Sequence, residues 1–287
     1  MMLLGVLLFS MNDAMGKWLV STYSVGQVVL LRSIAALVVL APFLYVGGWK
    51  SITSVDKPWT LLFRVVIAAF EVSAFYFAVR YLPLADAITY WMAAPIYVAA
   101  LSPLLLGEHV GWRRWTAIVV GFIGVIVPLE PSAQTLTPPA LISLAGSLCF
   151  GLMMTSGRSL RGTPDLTMVF WQTLGAGLFG LAIAPFDWVA PSGFDLSLLS
   201  LLGIVALAAH VCINRSLKLA DAATVTPYQY TLLIWAVVFG WIFFGDVPRP
   251  AVLYGAAIII AAGLFIFFRE QQLGRRPSAD ASQTPGG

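Results

Sequence analysis

Charge is what this sequence has least of. Lys, Arg, Asp and Glu make up 10% of its 287 residues, while 60% are hydrophobic and the mean hydropathy is +0.90. Soluble domains carry about 25% charged residues. A chain this poor in charge cannot coat a globule with polar groups, so its outer surface must face lipid. Histidine is almost absent too: His109 and His210 are the only two. There is no His-x-x-Glu-His cluster, no GxSxG elbow and no phosphate-binding loop. Those gaps argue against a membrane enzyme and against an ATP-driven pump within this chain, and call for no metal and no cofactor. The two cysteines, Cys149 and Cys212, both fall inside apolar runs and read as small buried residues rather than a disulfide. The net charge of +3 is dispersed between apolar runs instead of gathered in a groove, which excludes a nucleic-acid partner. A polar filter or repeated pore loop, as a channel would need, is missing as well.

What is present is long and apolar. Segments such as "AIVVGFIGVIV" (117–127) and "AAIIIAAGLFIFF" (256–268) are continuous, without the alternation of a lipid-facing barrel strand. In hydrocarbon, backbone groups are satisfied only by helices or closed barrels, so these runs select helices. A span needs about 20 apolar residues. The runs predict ten: 2–21, 25–46, 58–81, 84–106, 112–128, 138–157, 165–186, 196–218, 221–244 and 250–268. The expected fold is all-α, a polytopic membrane protein. The chain opens directly into "MMLLGVLLFS", with no basic leader, and 271–287 reads as a disordered cytoplasmic tail. With the N-terminus in the cytoplasm, Lys50, Lys57, Arg64, Arg113, Arg114, Arg158, Arg161, Arg215, Lys218, Arg269, Arg275 and Arg276 fall inside. Only Lys17, Arg80 and Arg249 fall outside, and Arg32 lies within a span. That asymmetry predicts an N-in, C-in topology.

The chain repeats itself. "RYLPLADA" (80–87) and "RSLKLADA" (215–222) agree at six of eight positions, each after the third helix of its half. "LLLGEHV" (104–110) matches "FFGDVP" (243–248) as Gly plus an acid closing the fourth helix, and a glycine-rich fifth helix follows both. Residues 1–128 and 138–270 are therefore read as two five-helix repeats joined by a loop at 129–137. Five is odd, so the second repeat enters from the opposite side. Inverted repeats are typical of alternating-access transporters, with substrate held near the midplane between them.

The duplicated "LADA" turns, the "GE" and "GD" endings, "QVVLLRS" (27–33) and Lys17 late in the first helix resemble the drug/metabolite transporter superfamily. Within it the chain is similar to the ten-helix EamA-type exporters, over almost its whole length. The nearer likeness is to bacterial aromatic amino-acid and metabolite exporters. The chain departs from the pattern in having no lead before its first helix, and in Asp246 where Glu is usual. The resemblance implies a secondary transporter in the bacterial inner membrane that exports amino acids and related metabolites, with multidrug or cation export as the alternative.

Polar side chains at membrane depth cost about 2.5–3.5 kcal/mol on insertion scales, so each needs a reason. Asp13 and Lys17 stand four apart, a spacing at which they can pair on one helix face, or can line a pathway with Asn12. Arg32 keeps its charge and reads as a structural anchor. Glu71, near the middle of the third helix, is either a carboxyl bonded to a neighbouring helix or a proton-coupling group. His210, with Asn214 one turn on, shares a face with Gly203 and Ala206 and is either packed or in contact with substrate. Tyr76, Tyr90, Trp91, Tyr97, Trp171, Tyr228, Tyr230 and Trp235 lie deep enough to wall a cavity for an apolar or aromatic solute, although plain helix packing accounts for any one of them. Tyr90 and Tyr97 share a face with Ala94. Pro95 loosens the backbone beside them, with Pro227 as its counterpart, and the two prolines are hinge candidates. The expected partners are a small-molecule substrate and the lipid bilayer, with the protein a monomer.

Overall fold

The computed structural model describes residues 1–47, 52, 55–106, 112–129, 137–160, 162–219 and 226–274. Its helices are α1 (Met2–Thr22), α2 (Val25–Gly47), α3 (Pro58–Tyr81), α4 (Leu84–Trp91), α5 (Ala94–Leu106) and α6 (Trp112–Leu129) in the first half. The second half holds α7 (Pro138–Ser159), α8 (Asp165–Ile183), α9 (Gly193–Leu219), α10 (Thr231–Phe244) and α11 (Pro250–Gly274), with 3₁₀ turns at Ala184–Asp187 and Thr226–Tyr230. No strand occurs among the described residues. Among the described residues, eight stretches are long and apolar enough to cross a membrane, and two shorter apolar helices, Trp115–Pro128 and Tyr228–Phe244, complete ten. The protein is an all-α, multi-pass membrane protein.

The fourth expected span is not one helix. Pro95 has no N–H to give the Trp91 carbonyl, and its ring crowds the turn before it. The chain answers with two tight bonds: Ala93 N–H to Tyr90 O at 3.1 Å and Ile96 N–H to Ala93 O at 2.9 Å. The Ser147 hydroxyl donates to the Tyr90 carbonyl at 2.6 Å, covering an acceptor that the break exposes. The described part of the ninth span is broken likewise, into the 3₁₀ turn at Thr226–Tyr230 and α10. α11 runs through Gly274, so residues 271–274, expected in the tail, are helical. The loop residues 130–136 and the tail beyond 274 lie outside the described residues.

Bonds between helix ends fix the direction of each span. Lys17, late in α1, donates to the Leu82 carbonyl ahead of α4 at 3.0 Å. Arg249, ahead of α11, reaches Asp86 in α4 at 3.0 Å and the Pro128 carbonyl at the end of α6 at 3.1 Å. Gln27, early in α2, bonds both the carbonyl and the N–H of Val189, beyond α8, at 2.6 and 3.1 Å. Tyr23, after α1, donates to Asp195 early in α9 at 2.7 Å. One face thus collects the ends of α1, α6 and α8 and the starts of α2, α4, α9 and α11. Up-and-down order then carries α1 toward this face and α7 away from it, so the two halves run oppositely. The start of α1 and the end of α11 share the other face, termed here the termini face.

Packing follows the same exchange. Counting α4 with α5 as the fourth span, and the turn at Thr226–Tyr230 with α10 as the ninth, replacing each span by the one five places on returns the most extensive pairings. The second packs on the seventh and the fifth on the tenth; the pair first–eighth becomes sixth–third. Lipid gives helices no hydrophobic reason to associate, so close backbone approach at small residues does that work. Gly203 of α9 lies against the backbone of Arg32 and Ala36, where any side chain would collide. That contact seats α9 on α2 beside the arginine.

Candidate functional site

Five helices, α1 to α4 of the first half and α9 of the second, bring polar side chains together. Arg32 of α2 donates to the Tyr76 hydroxyl of α3, and its guanidinium stands 5.3 Å from the centre of the Tyr76 ring. Tyr76 is fully buried, and Gly16 of α1 leaves room for its ring. One helical turn before Tyr76, Glu71 accepts a hydrogen bond from Trp91 Nε1 at 2.9 Å. Trp91 is the last residue of α4, so the helix break holds the indole where Glu71 can reach it. Phe75 packs edge-on against both Trp91 (5.2 Å) and Tyr76 (5.7 Å). Asp13 of α1 lies within electrostatic reach of Arg32 and Glu71, and has no hydrogen-bond partner among the described residues. His210 of α9 feels the charge of Arg32, meets Phe9 edge-on at 4.7 Å, and gives Nδ1–H to the Ala206 carbonyl at 2.8 Å. That tautomer leaves Nε2 as an acceptor.

The cluster is unbalanced and open. Two carboxyls face one guanidinium. Asp13, Arg32, Glu71 and Trp91 each keep part of their surface uncovered, and His210 is exposed although it lies deep in a span and within reach of these charges. Such an arrangement leaves charged and aromatic surface uncovered at membrane depth. It can offer a cation to a carboxylate, an acid to an ammonium or sulfonium, and ring faces to a flat group.

Other expected residues have other partners. Asn12 is buried and donates to the Leu202 carbonyl at 2.6 Å, tying α1 to α9. Lys17 does not pair with Asp13: its ammonium meets Asp246 at 2.5 Å and lies 4.8 Å from the Phe244 ring centre. Helical spacing cannot see a partner on another span, and that partner is the stronger one here. Tyr90 and Tyr97 do not share a face, because the break between α4 and α5 separates them. Tyr90 is buried near Asp86 and Arg249, while Tyr97 packs on Phe122 at 5.5 Å. Trp171 bonds the Ile52 carbonyl at 3.0 Å toward the termini face, Tyr228 is exposed, and Trp235 stacks on Phe239 at 5.7 Å. Tyr230 points its hydroxyl at Gly263, a position without a side chain to obstruct it. The side chains of Asn214 and Pro227 lie outside the described residues, as does all of His109.

The sequence reading missed a second charged group, at the face opposite the termini. Lys17–Asp246 and Arg249–Asp86 lie near enough that Asp86 senses Lys17, Asp246 and Arg249. Gly245, at φ 68°, closes α10 in a left-handed turn with Asp246 N–H bonded to Gly240 O at 3.0 Å, and so sets the Asp246 carboxylate toward α1. The Tyr23 phenol, at the same face and mostly buried, is pushed above its usual titration range by its hydrogen bond to Asp195. Arg64, expected among the basic residues on the cytoplasmic side, is buried in α3 and donates to the Met153 carbonyl and, at 3.4 Å, to the Ser156 hydroxyl. Among the described residues no three His, Cys, Asp or Glu side chains are grouped to hold a metal.

A multi-pass bundle of two opposed halves, with a mixed-charge aromatic cluster at membrane depth, is the architecture expected of a membrane transport protein. The chain belongs to the EamA-like transporter family, whose model matches residues 1–129 and again 137–268. It is similar to the S-adenosylmethionine uptake transporter of Rickettsia felis, 27% identical over 94% of this chain and 92% of that protein. It is also similar to the riboflavin transporters of Rhizobium johnstonii (30% identical, 96% and 93% covered) and Vibrio cholerae (32% identical, 87% and 85% covered). A solved crystal structure shares the fold, with a TM-score of 0.59 at 17% identity over 94% of this chain and 98% of that one. The protein is a transporter of the drug/metabolite superfamily rather than an enzyme.

Proposed function

We propose that this protein is an alternating-access secondary transporter of the bacterial inner membrane. Its cargo is a small amphoteric solute: an amino-acid head on an aromatic or heteroaromatic body. One observation carries the reading. A single guanidinium, Arg32, stands between two carboxyls, Asp13 and Glu71, with the Tyr76, Trp91 and Phe9 rings close by. A solute carboxylate would take Arg32, and its cationic centre would take the unpartnered Asp13. A flat ring would lie against Trp91, whose indole Glu71 holds in place.

Aromatic amino acids meet that description, and so does S-adenosylmethionine, which several relatives are named for. A second reading is a neutral flat heterocycle of the riboflavin kind, favoured by the pinned Trp91 together with the two relatives named for riboflavin. Multidrug or cation transport would use the acids and rings but leave Arg32 opposed to its cargo. Glu71 is the proposed proton-coupling group, since it already touches the ring that solute would touch. Alternating access runs both ways, so export and uptake are set by the gradients the cell maintains. With basic residues grouped by the positive-inside rule, the termini face is cytoplasmic.

Reconstitution in liposomes tests this. Labelled tyrosine, tryptophan, S-adenosylmethionine and riboflavin are offered separately, with a quaternary ammonium compound as competitor. Saturable flux of a zwitterion, lost in Arg32→Ala, is the expected result. Flux of the quaternary ammonium compound alone would refute the amphoteric site.

A further inference from the structure

We infer that the two ion pairs at the face opposite the termini form a latch that must break each time the carrier opens to that side. The inference rests on the two-state reading above but concerns a different part of the molecule. Both pairs bridge the halves. Lys17 of α1 meets Asp246, just past α10, at 2.5 Å, and Asp86 of α4 meets Arg249, just ahead of α11, at 3.0 Å. The pairs form one network, because Asp86 senses Asp246 and Lys17 as well as its own partner.

The geometry is that of a closed gate. Asp86 is 4% exposed, its Oδ1 has no protein partner among the described residues, and Lys17 and Asp246 are 13% and 24% exposed. Arg249 is 42% exposed, but the other three charges are mostly withdrawn from water and held by their partners, so separating them needs water to enter in their place. Opening this face supplies that water. Next to the network Val79, Leu84, Ala87 and Ile88 are all buried, while a cleft of about 260 Å³ opens beside Lys17 between Trp18, Arg80 and Phe244. Two further contacts between the halves, Tyr23–Asp195 and Gln27–Val189, ring the same face.

The latch is also wired to the central site. Lys17 lies four residues, about one turn, beyond Asp13 on α1. Tyr90 adjoins Asp86 and Arg249, and its neighbour Trp91 holds Glu71. Solute that draws α1 or α4 inward pulls on both ion pairs.

Spin labels at Ser21 and Val247, exposed and on opposite halves at this face, would report the gap by pulsed dipolar spectroscopy on the full chain in nanodiscs, with Cys149 and Cys212 replaced by Ala. Removing one partner would strand a charge, so both members are neutralised together: Lys17→Gln with Asp246→Asn, and separately Asp86→Asn with Arg249→Gln. Each pair is expected to raise the long-distance population about fivefold. The reversed pair, Lys17→Asp with Asp246→Lys, should restore the wild-type distribution and show that the chain still folds. Distance distributions unchanged in both neutralised variants would overturn the latch, whatever solute the liposome assay finds. A rise that charge reversal leaves in place would overturn it too, because the ion pair would then not be its cause. Loss of solute flux with the latch shifts intact would refute the transport reading alone.

Discussion

The central site and the latch are built from the same parts and behave oppositely. The latch joins the two halves of the bundle, whereas the central acids and arginine all stand on the first half, with His210 coming from the second. In the latch, two acids meet two bases, and the ammonium and both carboxylates are largely covered. In the centre, two acids share one arginine, Asp13 has no hydrogen bond among the described residues, and His210 stands exposed. A balanced cluster is complete without a ligand and serves to hold. An unbalanced one with open surface has room and charge for a solute to complete it. The difference teaches that intramembrane charge is informative by its balance rather than its presence, because insertion cost applies to both.

The comparison breaks most visibly at Arg32. Arg32→Ala leaves Asp13 and Glu71 together without a cation, and transport in liposomes should fall at least about 100-fold; Arg32→Lys, a point charge on a flexible stem, should recover only part of it. Undiminished flux in Arg32→Ala would make the central cluster structural. Glu71→Gln keeps an acceptor for Trp91 while removing the charge. It should lower turnover about tenfold and abolish any dependence of transport on pH, measured as initial rates across imposed proton gradients; unaltered pH dependence would remove Glu71 as the coupling group. His210→Ala should raise the half-saturating solute concentration about threefold with expression intact, since the ring contributes contact but no pairing charge. The latch should respond in stability rather than affinity. Gly245→Ala forces a side chain into left-handed backbone at φ 68°, which costs about 1 kcal/mol and should lower the thermal midpoint in detergent by a few degrees. Tyr23→Phe removes a part-buried hydrogen bond at the same face, worth about 1 kcal/mol or less, and should lower that midpoint by no more than Gly245→Ala does.

Spans were the legible part of this fold. Ten apolar runs, the odd number per half and the segregated basic residues need only composition and order along the chain. The exchange of partners between the first–eighth and third–sixth pairs agrees with that pattern. The site was legible as a list of residue types and not as a set of partners. Asp13 and Lys17 look paired because four residues make one turn, yet Asp246, 229 residues away, takes the lysine. Tyr90 and Tyr97 look aligned only if the helix continues, and Pro95 breaks it. Trp91 and Glu71 stand on different helices, so nothing in either segment announces their bond. Asp86 sat in plain view inside a repeated motif and read as a turn residue; its counterpart charge, Arg249, read as a loop cation. What periodicity cannot carry is contact between spans, and both charged clusters are made of it.

Trans-stimulation tests the central account most directly. Liposomes carrying the protein are preloaded with an unlabelled solute that it transports, and uptake of the labelled solute is timed. A carrier that alternates between two closed-on-one-side states returns faster when loaded, so preloading should accelerate the initial uptake several-fold. An initial rate indifferent to solute inside would mean a pore open to both faces at once, and would contradict passage through a site that the two halves close in turn.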